Sequence, residues 1–202
     1  MKLFTSPASP FGRKAAICAL ETGLDARIET VNVNPWESPP ELLRVNPLSK
    51  IPALVTDDGD TVLDSPAVCD CMDAIDGRHR LIPAEPGARL RALRRQALAD
   101  GILDSAIVIL LNRAQKPERV HRGYVQRQEQ SIARALDALE REAPELRDGF
   151  NLGHIALVCA LDFLSVANVV DWKPRHEALA EWLSRMHKRP AVARTRPPAP
   201  TE

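Results

Sequence analysis

Apolar positions switch between strand and helix spacing over roughly the first 80 residues, then keep helix spacing to the end. "KLFT" (residues 2–5) reads as a short strand. "SPFGRKAAICALETG" (9–23) reads as a helix with Phe11, Ala15 and Cys18 on one face. Ser9 suits its cap, Pro10 its first position and Gly23 its stop. "ARIETVNV" is rich in β-branched residues and predicts a second strand. "SPPELLRVN" reads as a short helix or irregular turn. "PALVT", "DDGD" and "TVL" predict a β-hairpin turning at Asp58-Gly59. "SPAVCDCMDAI" is another helix, with Ser65 as cap and Pro66 at its first position. The order β-α-β, short helix, β-β-α implies one parallel and one antiparallel pairing. It predicts a small mixed sheet with helices on both faces.

"DGRHRLIPAEPGA" (76–88) is polar and proline-rich and reads as a boundary. The expected division is residues 1–77, a linker 78–87, and an all-helical part 88–202. A long helix follows from about Arg89 to Gln115. A second carries Ile132, Leu136 and Leu139 at helical spacing. "APELRDGFN" reads as a loop. Residues 152–170 are apolar on nearly every side, which predicts the buried centre of the helical part. "EALAEWLSRMHK" predicts a last amphipathic helix with Leu179, Trp182, Leu183 and Met186 inward, and "RPPAPTE" a tail.

Charge changes this picture by what it excludes. The chain has 27 Lys+Arg and 27 Asp+Glu, so it lacks the basic excess expected of a protein for nucleic acid or anionic lipid. "RLRALRR" (89–95) therefore reads as a solvated or interface face of its helix. Neither the N-terminus nor "IALVCALDFLSVANVV" is suited to a signal peptide or a membrane span, so a cytoplasmic protein is expected. Cys18, Cys69, Cys71 and Cys159 have no metal-type or redox-type spacing and read as reduced core cysteines. The histidines show no metal spacing either, so no metal is expected.

Three stretches carry a resemblance. "SPASPFGRK" stands at the first strand–helix junction, "NPLSKIPAL" leads into the third strand, and "LDSPAV" opens the third helix. With "ALADGILDSA" in the first long helix, their order and spacing resemble a cytosolic glutathione S-transferase of the bacterial serine type. The resemblance implies an α/β thioredoxin-like N-terminal domain with a mixed four-stranded sheet, and an all-α C-terminal domain. It implies glutathione as co-substrate, a small hydrophobic electrophile and a homodimer.

In this family the proline corresponding to Pro52 is cis, which X-Pro tolerates at about 0.5–1 kcal/mol. The resemblance then makes Ile51 the strand-like edge that pairs with the peptide backbone of glutathione. Ser9 is the expected catalytic hydroxyl. Lowering a thiol pKa by two units takes about 2.7 kcal/mol. A hydroxyl bond to sulfur supplies about 1.5–3 kcal/mol, and a helix N-terminus about 0.3–1 kcal/mol. Ser9 is equally a helix cap, so the two roles compete, and Ser6 is the rival hydroxyl. Asp64 and Ser65 correspond to the pair holding the γ-glutamyl end, and Lys50 to a contact with the glycyl carboxylate. Phe11 is placed at the substrate. Asp100, one turn before Asp104, corresponds to an acid that reaches the glutathione amine across a dimer. Arg13 reads as a structural pairing residue. In "NLGH", Asn151 suits a cap, but His154 stands where the family's capping box has an acid, so the start of that helix is open.

The expected function is a glutathione transferase. A weakly catalytic glutathione-binding or partner-binding protein remains the alternative, as does a glutathione-dependent reductase or peroxidase. The absence of cysteine from the first loop weighs against the reductase.

Overall fold

The computed structural model describes residues 1–147 and 149–197. Its first part runs β1 (Lys2–Thr5), α1 (Pro10–Thr22), β2 (Glu29–Asn32), α2 (Pro40–Val45), β3 (Ala53–Val55), β4 (Thr61–Leu63) and α3 (Ser65–Asp76). The four strands form one sheet in the order β2-β1-β3-β4, with β2 parallel to β1 and the other two pairings antiparallel. This is the mixed four-stranded thioredoxin-like arrangement, followed by a helical domain. Alternation along the strands sorts the core. Leu3 and Leu54 join the large core beneath α1 and α3, whereas Phe4 and Ala53 join a small cluster with Val33 and Leu42 on the other face.

Local punctuation explains most elements. Ser9 Oγ accepts from Gly12 N at 3.1 Å, Pro10 opens α1, and Gly23 closes it at φ 74°. Gly12 is required for a different reason: a Cβ there would overlap Thr5 Oγ1 at the end of β1. The hairpin turns where Gly59 takes φ 90°, with Thr56 N donating to Asp60 O.

At α3 the cap differs from expectation. Ser65 is the first helical residue, and Asp64 is the cap, its Oδ1 accepting from Ser65 N at 2.8 Å. The reason is the backbone: Asp64 leaves β4 at φ 72°, ψ 141°, and one residue later the chain is already helical.

The helical part contains α4 (Pro86–Arg113), α5 (Arg122–Glu142), α6 (Leu152–Val166), α7 (Glu177–Met186) and α8 (Pro190–Arg194). α4 starts three residues before the expected Arg89. Glu85 caps it with both carboxylate oxygens, on Gly87 N and Ala88 N, and Pro86 fits the first turn. "APELR" forms a 3-10 turn rather than open loop, and Asp148 of that stretch lies outside the described residues. α6 is buried on nearly every side but stops at Val166, four residues short of expectation. Asn168 turns left-handed at φ 47°, and Arg113 donates to the freed carbonyls of Asn168 and Val169. The start of α6 is a complete capping box in which His154 Nδ1 accepts from Asn151 N, doing what an acid does elsewhere. Gly153 lets α6 cross close to α4, since a Cβ there would stand 2.7 Å from Ala92 O.

Two features were not visible in the apolar pattern. The segment between α3 and α4 is pinned: Leu81 and Ile82 are buried, and their N–H groups donate to the two oxygens of buried Asp73. α8 was not expected as a helix at all. Of the expected tail, residues 198–202 lie outside the described residues. All four cysteines are free thiols, three of them buried, and burial pushes Cys159 up to about 12. Among the described residues no helix is long and apolar enough to cross a membrane.

Candidate functional site

Strand register decides which residues meet. Phe4 of β1 faces Ala53 of β3, and Ala53 faces Leu63 of β4. The end of β1, the start of β3 and the end of β4 therefore share one edge of the sheet. Ser9 follows the first, Ile51 and Pro52 precede the second, and Asp64 and Ser65 follow the third. Ser9, Ile51, Pro52, Asp64 and Ser65, spread over more than fifty positions in sequence, gather at this end of the sheet.

The Ile51–Pro52 peptide bond is cis. Its approach is held by a residue sequence reasoning missed. Asn46 is buried, its Oδ1 accepts from Leu48 N at 3.0 Å, and its Nδ2 donates to Lys50 O at 2.8 Å. Ser49, at φ 51°, donates from Oγ to Pro35 O at 2.9 Å. The loop before Ile51 is thus fixed on two sides. An asparagine just before a proline reads as an ordinary turn residue, so no local signal marked this role.

Ser65 Oγ is fully buried at the N-terminus of α3 and has no hydrogen-bond partner among the described residues. An unpaired buried hydroxyl costs about 1–3 kcal/mol. It stands next to Asp64, whose positive φ is a conformation that non-glycine residues rarely keep without a local reason. Together they set a hydroxyl at the positive end of the α3 helix dipole, which favours an anion.

Ser9 Oγ uses one lone pair as the α1 cap. A hydroxyl has two acceptor sites and a separate donor proton. Capping therefore takes one acceptor site and does not consume the hydroxyl proton. Ser6 stands in the same loop, with its carbonyl accepting from Ser9 N at 3.0 Å. A depression opens beside Ser9, lined also by Pro10, Arg13, Cys159, Phe163 and Pro197. Arg13 pairs with Asp162 at 2.7 Å, the structural pairing its position implied.

The remaining candidates fall differently. Phe11 is half-buried against the core, with Lys14 Nζ 5.8 Å from its ring centroid. Lys50 is exposed. Asp100 already has a partner inside the chain: both its oxygens accept from Lys14 Nζ, at 2.7 and 2.8 Å. Asp104 has no ion-pair partner among the described residues and feels the charges of Asp64 and Lys50. Desolvation raises its carboxyl above the usual carboxylate range, the Asp100 and Asp64 charges add to this, and Lys50 and Lys14 oppose it. Among the described residues no cluster of His, Cys, Asp and Glu has the makings of a metal site.

Comparison with known proteins fits this geometry. Residues 8–75 match the family model of the glutathione S-transferase N-terminal domain, and residues 122–185 that of the C-terminal domain. The chain is 33% identical to the GST-like protein YibF of Escherichia coli, over 98% of this chain and 99% of that one. A glutathione transferase family member from Pseudomonas fluorescens, solved with bound glutathione, superposes with a TM-score of 0.93. It is 35% identical, covering 98% of this chain and 99% of its own. A glutathione S-transferase from Methylobacterium radiotolerans, in complex with glutathione sulfonate, gives 0.89 at 31% identity, covering 100% of this chain and 96% of its own.

Proposed function

The chain belongs to the glutathione S-transferase family, and on that premise we propose that it is a serine-type glutathione transferase. Ser9 donates its free O–H to the glutathione sulfur and holds it as thiolate. The α1 N-terminus adds its dipole. Ile51 pairs with the cysteinyl backbone, Ser65 and Asp64 take the γ-glutamyl end, and Lys50 meets the glycyl carboxylate. Asp104, rather than the Lys14-bound Asp100, is the acid available to the glutamyl ammonium. The thiolate forms a C–S bond to a small hydrophobic electrophile, whose leaving group departs with the bonding electron pair.

The observation that carries the reading is the buried, partnerless Ser65 hydroxyl at the sheet edge where Ser9 and Ile51 also lie. Glutathione in the Pseudomonas fluorescens relative supports the same ligand here. Four unpaired cysteines fit a reducing cytoplasm.

A second copy of the chain is the expected partner. α4 exposes Leu90, Leu93 and Leu111 to solvent. Gly101 lies mid-helix with nothing within 4 Å of the position its Cβ would take, a cost of about 1 kcal/mol that contacts within one chain do not explain. Residues 1–77 carry six Lys+Arg against twelve Asp+Glu, and the rest of the chain has the opposite balance. Two copies packed acidic part against basic part would complement each other.

The test is calorimetric titration with glutathione, joined to a thiolate absorbance titration. Binding with a lowered thiol pKa is expected. Binding with an unshifted pKa would favour a glutathione-binding protein without turnover, and no binding would sink both.

A further inference from the structure

Every polar group of Asn46 is used inside the segment that leads to Ile51. Its N–H donates to Leu42 O at 2.7 Å, and its carbonyl accepts from Ser49 N at 3.0 Å. Its side chain adds two more bonds, accepting from Leu48 N at 3.0 Å and donating to Lys50 O at 2.8 Å. Leu42, to which its backbone is tied, is fully buried in one cluster with Phe4 of β1 and Ala53 of β3. The Asn46 amide is therefore fixed relative to the sheet, and it holds the Lys50 carbonyl from the buried side of the loop.

The Lys50–Ile51 peptide bond is trans, since Ile51–Pro52 is the one cis bond among the described residues. In a planar trans peptide the C=O and the N–H point in opposite directions. Lys50 O is turned inward onto the buried Asn46 amide, so the Ile51 N–H points away from Asn46. It donates to no backbone carbonyl among the described residues. Pro52, next in the chain, has no N–H to offer. Ile51 thus carries the one backbone donor between Lys50 and β3, and Asn46 sets its direction.

We propose that Asn46 is a positioning residue for glutathione: by holding the Lys50 carbonyl it aims the Ile51 N–H at the carbonyl of the ligand's cysteinyl residue. The inference rests on the transferase reading, in which the cysteinyl backbone pairs with Ile51. Asn46 acts through the Lys50–Ile51 peptide and not on the sulfur. The role asks for an acceptor and a donor on one short side chain, which asparagine has. Aspartate keeps the acceptor for Leu48 N and, ionised, offers no donor to Lys50 O. With that bond gone the Lys50–Ile51 peptide plane is free to turn, and the cysteinyl carbonyl loses its partner. Ser9, on α1, keeps its cap and its place.

The test follows the Ile51 amide by hydrogen exchange in proton–nitrogen NMR, alongside calorimetry and the absorbance titration of the bound thiol. In wild type, saturating glutathione should slow exchange of the Ile51 N–H about tenfold. In Asn46→Asp, with melting curves to establish that it is folded, the slowing should disappear. Its glutathione affinity should fall about tenfold, the scale of one hydrogen bond. The bound thiol should titrate as in wild type, because Ser9 is undisturbed. Asn46→Ser serves if Asn46→Asp does not fold: the serine hydroxyl supports the same turn at Leu48 N and is too short for Lys50 O. Retained slowing at Ile51 in a folded variant, or a bound thiol that titrates higher, overturns the positioning role. If wild type binds glutathione and leaves the Ile51 N–H unprotected, the role fails whatever the variants do, while glutathione binding stands. If wild type binds no glutathione, the transferase reading fails and the role with it.

Discussion

Lys14 Nζ sits against both carboxylate oxygens of Asp100, at 2.7 and 2.8 Å, and its side chain has no exposure to solvent. This pair joins α1 to α4 across the two halves of the molecule. Removing one partner of a buried pair strands the other, typically at about 3–5 kcal/mol. Asp100→Asn should therefore lower unfolding stability by about that amount in urea titrations. Glutathione affinity of the folded variant should hold. A stable protein with weakened glutathione binding would mean that Asp100 touches the ligand.

Ser65→Ala separates stability from binding. The wild-type hydroxyl is buried without a partner, so deleting it removes an unsatisfied group. Stability should stay level or rise slightly. Glutathione affinity should fall about tenfold or more, the loss of a hydrogen bond to a charged group. Parallel loss of both would show an internal role for the hydroxyl.

Ser9→Ala should lower both quantities. The lost cap costs about 1 kcal/mol of stability. The bound thiol should titrate about one to two units higher, which thiolate absorbance reads directly. An unchanged thiol pKa would move the role to Ser6 or to backbone N–H groups.

His154 predicts a pH effect on stability. Burial, with the charges of Arg95 and Arg189, holds its pKa at about 4 in the fold. The unfolded chain binds the proton near 6.5. Below that value the unfolded state takes up more protons, so stability is full above about 6.5 and falls progressively toward pH 4. The difference is of the order of 3 kcal/mol. Chemical denaturation across this range should show the decline in wild type and a flatter profile in His154→Gln.

What the sequence disclosed follows how far each determinant reaches along the chain. Caps and turn residues act within one turn and apolar spacing within a few, so α1 and the hairpin were legible from Ser9 and Gly59, and α5 and α7 from the helical spacing that includes Leu136 and Trp182. Asp64 was not legible as a cap, because its backbone is set by the hairpin that precedes it. α8 escaped because its stability comes from α1, through Glu21, 168 positions before Arg189. Lys14 reads as surface and is buried because its carboxylate lies 86 positions away. Asp100 and Asp104 are both polar helix positions in sequence, and only the fold assigns the first to Lys14. The gathering of Ser9, Ile51 and Ser65 followed from motif order, but the anchoring of Ile51 through Asn46 depends on loop carbonyls that no pattern reports.

The crowding at Gly12 bears on how a mutational scan of this protein would look. Any side chain there overlaps Thr5 Oγ1 and presses on Ser9 Cβ, so Thr5 or the first turn of α1 that carries Ser9 must shift. Position 12 would score as intolerant as the residues at the sulfur, though it offers no functional group. Selection for activity alone would group Gly12 with the chemistry, and only a parallel screen for folded protein would separate them.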